Sequence, residues 1–403
     1  MRLFYGFGIR VFYLLMRFAA LFHEKANKWI VGRQQGFEGI EIPSNSKVIW
    51  FHCASLGEFD QGLPVMNALK EKDPSLFLVV TFFSPSGMEH YHKRKHSVDL
   101  ALYLPLDTKA KATKFVAFLQ PKLVFFVKYE FWYNHLKAAK RQGANIYGVS
   151  SLFRPTHRFF KWYGGFFRKA LCLFDHFYVQ DEQSKQLLKN IGIDQVTVTG
   201  DTRYDRMLAV AAAHETSEKI NRFVAGQPTL ILGSIWPVDL EKIAPALQRL
   251  ATSWKIIIAP HTISEETIKL ITNVFAGQVN RYTSEEETTA PIFILDTIGQ
   301  LTTAYQFAQI AYVGGGFTGK LHNILEPGAF GVPVIFGPNF KRFPEAQLFL
   351  DKQAAISIAD AEAFEQAVNY FQQNQLISKT NLAALFAENA GAADKVVAAT
   401  WPA

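Results

Sequence analysis

Two glutamates stand where an α/β protein keeps its chemistry, each a few residues beyond a short apolar run. His52-Cys-Ala-Ser-Leu-Gly-Glu58 follows Val48-Ile-Trp-Phe51. Ser55 and Gly57 permit a tight turn, and Glu58 then falls near a helix N-terminus, where the dipole favours the carboxylate anion. An ionised carboxylate so placed can take a proton from a hydroxyl, the work of a general base. It can equally be a simple charge complement, and His52 alone reads as a strand-end residue. Val127-Lys-Tyr-Glu130-Phe-Trp-Tyr-Asn134 repeats the arrangement, with Glu130 either an active carboxylate or a helix cap beside a core Trp132. Gly200-Asp-Thr-Arg203-Tyr-Asp205 follows Val196-Thr-Val198. Arg203 offers a planar fork to a phosphate or carboxylate, or else pairs at the surface with Asp201 or Asp205.

A second group of motifs points to a nucleotide. The run from Tyr312 to Pro338 holds Gly314-Gly-Gly316, then His322-Asn-Ile-Leu-Glu326, then Gly337-Pro338. Glycines let backbone N–H groups approach phosphate oxygens. Asn323 starts a helix whose N-terminus can hold an anion, and Glu326, one turn on, can accept from two ribose hydroxyls. Gly233-Ser234-Ile-Trp236, Ala259-Pro260-His261 and Asp296-Thr-Ile298-Gly299-Gln300 end other apolar runs and say little singly. No Asp-x-Asp pair closes a strand, so the sequence requires no divalent metal and names no cofactor.

These segments need a frame that brings strand ends together. Val48–Phe51, Leu76–Phe82, Leu123–Val127, Ile146–Ser150 and Phe177–Gln180 read as strands separated by helical stretches, the signature of βαβ units in a parallel sheet. Residues 207–228 change character and read as an interdomain linker. The pattern then restarts at Leu230–Leu232, Lys255–Ala259, Ile292–Leu295, Ile310–Val313 and Val334–Phe336. Two Rossmann-like domains, 23–206 and 229–403, facing a cleft make the α/β architecture called GT-B, which is shared by many glycosyltransferases and a few epimerases. Ligands in such sheets sit at the carboxyl ends of the strands.

The chain has 403 residues, 49% of them hydrophobic, enough for two sizeable cores. Its two cysteines build no disulfide framework or zinc site. A net charge of +7 without any nucleic-acid module points to an anionic ligand or membrane rather than DNA or RNA. Residues 1–22 read as an anchor, spanning or in-plane, with a helix that packs on a soluble domain as the alternative. Leu3–Phe22 is nearly long enough to span a bilayer, but Arg10 and Arg17 fall on one helical face. An in-plane helix would leave both in the headgroup layer and sink Phe4, Phe7, Val11, Leu14, Leu15 and Phe18 into lipid. His23, Lys25, Lys28 and Arg33 supply a basic cytoplasmic flank.

Taken in order, these segments resemble one family, the 3-deoxy-D-manno-octulosonic acid (Kdo) transferases of lipid A biosynthesis. The resemblance runs from about Lys28 to Leu348. It is densest in His52–Glu58, which is similar to His-Ala-x-Ser-Val-Gly-Glu, and in Tyr312–Pro338, which is similar to Gly-Gly-Ser…Gly-Gly-His-Asn-Pro-Leu-Glu-Pro. It implies that Glu58 is the proton acceptor and that Glu130 and Arg203 aid the transition state. It further implies that Pro260, His261, Ile298, Gly299, Gln300, Asn323, Ile324, Leu325 and Glu326 meet a cytidine nucleotide. Lys128, Arg203, His261 and Gln300 depart from the family's Glu, Lys, Arg and Glu.

The function implied is inverting transfer of Kdo from CMP-Kdo to a lipid A precursor (lipid IVA) on the cytoplasmic side of the cell inner membrane. The implied partners are that donor, that acceptor and membrane lipid. The alternatives are a GT-B relative using a UDP-sugar, as transferase or epimerase, and an inactive membrane-tethered nucleotide-binding protein.

Overall fold

The structure is a computed structural model that describes residues 2–213, 215–286 and 288–401; the outermost boundaries, Met1 and Ala403, lie outside them. The chain forms two compact units, residues 1–206 with 390–403, and residues 207–389. In the first, β1 (Lys47–Cys53), β2 (Leu76–Phe82), β3 (Leu100–Tyr103), β4 (Leu123–Val127), β5 (Asn145–Ser151), β6 (His176–Val179) and β7 (Val196–Val198) form one parallel sheet, ordered β3-β2-β1-β4-β5-β6-β7. β1 and β4 are apolar almost throughout because helices cover both faces of the sheet. Phe51 stacks on Phe125 at 4.6 Å on one face, and Trp50 meets Phe115 and Phe126 on the other.

The second unit repeats the plan. It contains β8 (Thr229–Ile235), β9 (Lys255–Pro260), β10 (Val279–Arg281), β11 (Ile292–Ile294), β12 (Ile310–Val313), β13 (Val334–Phe336) and β14 (Ala355–Ser357), ordered β10-β11-β9-β8-β12-β13-β14 and all parallel. Each sheet reverses its winding once, at the β1/β4 pair and at the β8/β12 pair. A crevice opens at the carboxyl end of such a switch point.

Two boundaries differ from those read in the sequence. Helix Ala392–Thr400 packs in the first unit, where Ala393, Val396 and Val397 join the core around Ile49 and Leu63. Asp205 holds its start, accepting from the N–H groups of Gly391 at 2.5 Å and Ala393 at 2.9 Å. Residues 207–228, read as a linker that turns helical, belong to the second unit. Ile220 and Val224, one turn apart in helix Glu218–Val224, sit in the second unit's core.

The N-terminal helix, Arg2–Ala19, has two apolar sides. One docks on the first unit: Ile9 is buried, and Phe12 lies edge-on to Trp29 at 5.6 Å and against Phe83 at 6.2 Å. On the opposite side Phe4, Phe7, Leu14, Leu15 and Phe18 are exposed, as are Arg10 and Arg17, whereas Val11 is half-buried. Among the described residues no helix is long and apolar enough to cross a membrane. Arg33 is not part of a basic flank. Its guanidinium lies over Trp29 at 3.8 Å and donates to the carbonyls of Trp29, Phe83 and Leu104. Burial pulls its pKa down to about 9.

Candidate active site

In the first unit the carboxyl end of β1 turns at Ser55 into helix Leu56–Lys72, with Glu58 in its first turn. The Ser55 hydroxyl donates to Glu58 Oε2. Glu58 Oε1 lies 3.9 Å from Lys128 Nζ. Lys128 follows β4 in the left-handed region, φ 66°. A non-glycine residue there costs on the order of 1–3 kcal/mol and marks sites where the surroundings enforce the backbone. The departure from the family's Glu at 128 thus places a cation beside the candidate base.

Glu130 lies two residues on. Its Oε2 is buried, accepts no hydrogen bond among the described residues, and stands 3.4 Å from His52 Nε2. The same His52 nitrogen accepts from the Trp132 indole N–H at 3.1 Å. An indole N–H can only donate, so the His52 proton rests on Nδ1, which donates to Thr81 Oγ1 at 3.0 Å. His52 is fully buried, and desolvation lowers its pKa despite the nearby Glu130. It is therefore a neutral clamp on the Glu130 segment, a role that a strand-end reading misses. Beside this segment lies a cavity of about 610 Å³ lined by Glu130, Trp132, Tyr5, His157 and Tyr163, with Phe159, Phe166 and Phe167 adding aromatic wall. Arg203 pairs with Asp201: Nε donates to Oδ2 at 2.7 Å and the backbone N–H to Oδ1 at 2.9 Å.

The second unit gathers the nucleotide motifs at the ends of β8, β9 and β12. Trp236 and His261 stack face to face at 4.2 Å and 10°. The Trp236 indole donates to His322 Nε2 at 3.1 Å, and Lys320 Nζ lies 5.2 Å from the Trp236 ring centroid. Burial, then neighbouring His261, lowers the His322 pKa. Where the family carries Arg, this chain therefore has an aromatic stack with cationic and imidazole edges. Gly314–Gly316 is more than a turn. A Cβ at Gly314 would collide with the Ser234 carbonyl, one at Gly316 would collide with Gly337, and Gly315 takes φ 89°. Buried Asp239 ties this loop together, accepting from the N–H groups of Trp236 and Gly315 and from the Tyr312 hydroxyl. The sequence reading missed Asp239; its signal was an acidic residue in the first turn after Pro237.

Glu326 accepts from the Thr302 hydroxyl at 2.7 Å, which joins the Gln300 segment to the Glu326 segment. Gly299 uses φ 96° to start the helix that opens at Gln300, and Ile298 is 84% exposed. Pro260 ends β9, and the His261 N–H donates to the Ile235 carbonyl. Asn323 Oδ1 accepts from Leu325 N–H at 3.2 Å. The helix expected at Asn323 is only Leu325–Ala329, closed where Gly331 takes φ 73° and the Val332 N–H reaches the Pro327 carbonyl, so its dipole is a small asset. Ile324 and Leu325 are completely buried, backbone included, so neither offers a surface to a ligand. Among the described residues no group of three or more His, Cys, Asp or Glu is placed to hold a metal ion.

Residues 31–206 match the family model described as 3-deoxy-D-manno-octulosonic-acid transferase (kdotransferase). A 3-deoxy-D-manno-octulosonic acid transferase of Chlamydophila psittaci is 31% identical over 330 residues, covering 79% of this chain and 76% of the relative. One from Chlamydia trachomatis is 28% identical over 382 residues, covering 91% and 86%. In fold the chain is similar to UDP-GlcNAc 2-epimerase from Neisseria meningitidis, with TM-score 0.65 and 15% identity over 88% of this chain and 99% of that one. It is also similar to a glycosyltransferase from Rickettsia africae, with TM-score 0.56 and 16% identity over 88% and 97%. Those two likenesses concern the GT-B fold alone. The sequence relationship reaches further, and by it the chain belongs to the 3-deoxy-D-manno-octulosonic acid transferase family and is a glycosyltransferase.

Proposed function

We propose that this protein transfers Kdo from CMP-Kdo to a lipid A precursor with inversion, working at the cytoplasmic face of the inner membrane. The observation that carries the reading is Glu58, a carboxylate at the first turn of a helix beyond β1, between the Ser55 hydroxyl and Lys128. Glu58 takes the proton of the attacking sugar hydroxyl. The hydroxyl oxygen bonds to the anomeric carbon from the face opposite CMP, and the bond to the CMP phosphate breaks, through an oxocarbenium-like state. Glu130, with its buried oxygen free to face developing positive charge, and Arg203 support that state. One base with leaving-group stabilisation suffices for such a transfer, unlike the carboxyl pair of a hydrolase.

On the donor side, Glu326 holds ribose hydroxyls. The Trp236–His261 stack, with His322 and Lys320, meets the nucleotide in place of the family's Arg. Pro260, Ile298, Gly299, Gln300 and Asn323 complete the donor contacts, and the buried Ile324 and Leu325 position Asn323 and Glu326 between them. No metal or other cofactor enters this scheme. The exposed apolar side of the N-terminal helix lies in the membrane interface, with Arg10 and Arg17 among the headgroups. The test is reconstitution: purified protein, CMP-Kdo generated in situ and a lipid A precursor, with the product read by mass spectrometry. A Kdo-bearing lipid is expected. CMP-Kdo left intact beside an unmodified lipid would overturn the proposal.

A further inference from the structure

The N-terminal helix reaches the Glu130 segment by two separate routes. The first is aromatic: Phe12 packs on Phe83, and Phe83 stacks on Trp132 at 4.9 Å and 23°. The second is polar. The Tyr5 hydroxyl donates to Asp107 Oδ2 at 2.5 Å across 102 residues of sequence. That oxygen also accepts from Asn134 N–H at 3.1 Å, while Oδ1 accepts from His135 N–H at 2.9 Å and His135 Nδ1 at 2.6 Å. The Asn134 side-chain amide donates to the Asp107 carbonyl at 2.6 Å.

These bonds do the work of a helix cap. Helix Tyr133–Arg141 has no capping side chain at Trp132, so its first-turn N–H groups depend on a carboxylate from a distant loop. Asp107 is buried, and His135 and Tyr5 help to hold its pKa below the usual carboxylate value against desolvation. The Glu130 segment is thus fixed on one side by His52 and on the other by Asp107, and Asp107 is itself oriented by the N-terminal helix. The exposed side of that helix is the one assigned to lipid.

We propose that Tyr5 and Asp107 are positioning residues for the transfer reaction, through which the seating of the N-terminal helix sets the position of Glu130. This rests on the reading of Glu130 as a group that acts in the transition state. With the helix unseated, Asp107 loses one donor and the start of helix Tyr133–Arg141 is less constrained, so Glu130 is less well placed. Misplacement of about 1 Å can cost on the order of 100-fold in rate.

The test is a double-mutant cycle in the full-length chain with Tyr5→Phe and Glu130→Gln. Acceptor is presented both in vesicles and in detergent micelles. Tyr5→Phe should lower kcat roughly 10- to 100-fold in both presentations. Donor KM should stay within about two-fold, because the change is felt only in the transition state. The melt should stay cooperative, since Asp107 keeps its other donors. Adding Tyr5→Phe to Glu130→Gln should cost nothing more, because both changes disable one element. A loss seen only with vesicles would make Tyr5 a membrane contact and overturn the coupling. Losses that multiply, or a fully active Tyr5→Phe beside an impaired Glu130→Gln, would also overturn the coupling while leaving Glu130 in place. A fully active Glu130→Gln would remove Glu130 from the reaction and the coupling with it.

Discussion

Lys128 Nζ stands 3.9 Å from Glu58 Oε1, so the candidate base of this enzyme works beside a fixed cation. Glu58→Gln keeps size and hydrogen bonding but cannot take the proton. It should lower kcat by about 10²–10⁴-fold, with CMP and acceptor affinities within a few-fold. A helix-end charge alone contributes only about 0.3–1 kcal/mol of stability and nothing to rate. Turnover and melting temperature measured on the same variant separate these outcomes, and full activity would retire Glu58 as the base.

Glu326 is held by Thr302 before any donor arrives. In the proposed donor site, Glu326→Ala removes the acceptor for ribose hydroxyls, at a cost of roughly 1.5–3 kcal/mol. Donor KM should rise about 10- to 150-fold, with kcat changed far less. Calorimetry with CMP checks the ground-state part directly, and unaltered CMP affinity would exclude Glu326 from the site.

The exposed side of the N-terminal helix can be altered without touching its docked side. Replacing Phe4, Phe7, Leu14 and Phe18 with Ser removes apolar area that is worth up to about 1.5–3 kcal/mol per side chain when buried in lipid. Binding to anionic vesicles should fall by more than about 100-fold. Melting temperature should hardly move, since all four residues face solvent. Deleting residues 1–22 is the harsher experiment and should also destabilise the first unit, because Tyr5, Ile9 and Phe12 go with it. Vesicle flotation of the two variants tells the roles apart, and undiminished binding by the quadruple variant would rule out this face.

His52 gives a pH dependence of known sign. Its folded pKa lies below 6.5 through desolvation, so the unfolded chain takes up a proton first as the pH falls. The stability tied to neutral His52 is present above about 6.5 and is lost as pH drops from there toward the folded pKa. His52→Gln should therefore show a smaller fall in melting temperature between pH 7.5 and 5.5 than the unaltered protein. Equal falls in both would place the acid sensitivity elsewhere.

Strands were the most legible part of the sequence because buried parallel strands are almost uninterrupted apolar runs; β2, β4 and β12 fall on the predicted residues. The edge strands β3, β10 and β14 were missed, being short and only partly buried. Glu58 and Glu130 were legible because each follows such a run. Asp107, Asp239 and the tautomer of His52 were not, since each takes its meaning from partners tens of residues away. The N-terminal helix carried a clear amphipathic signal, but the sequence offered lipid and protein as alternatives and could not show that one side packs on protein while the other is exposed. The last helix was assigned to the nearer sheet because nothing in Ala392–Thr400 names Asp205 as its cap.

That last helix bears on how the protein is made. The core around Ile49 and Leu63 includes Ala393, Val396 and Val397, and residues 207–389 are synthesised in between. At about 5–20 residues per second, the first sheet waits on the order of 10–40 s on the ribosome for its final piece. Vectorial maturation is thus interrupted in this chain: the half begun first gains its full packing only after residues 207–389 have been made.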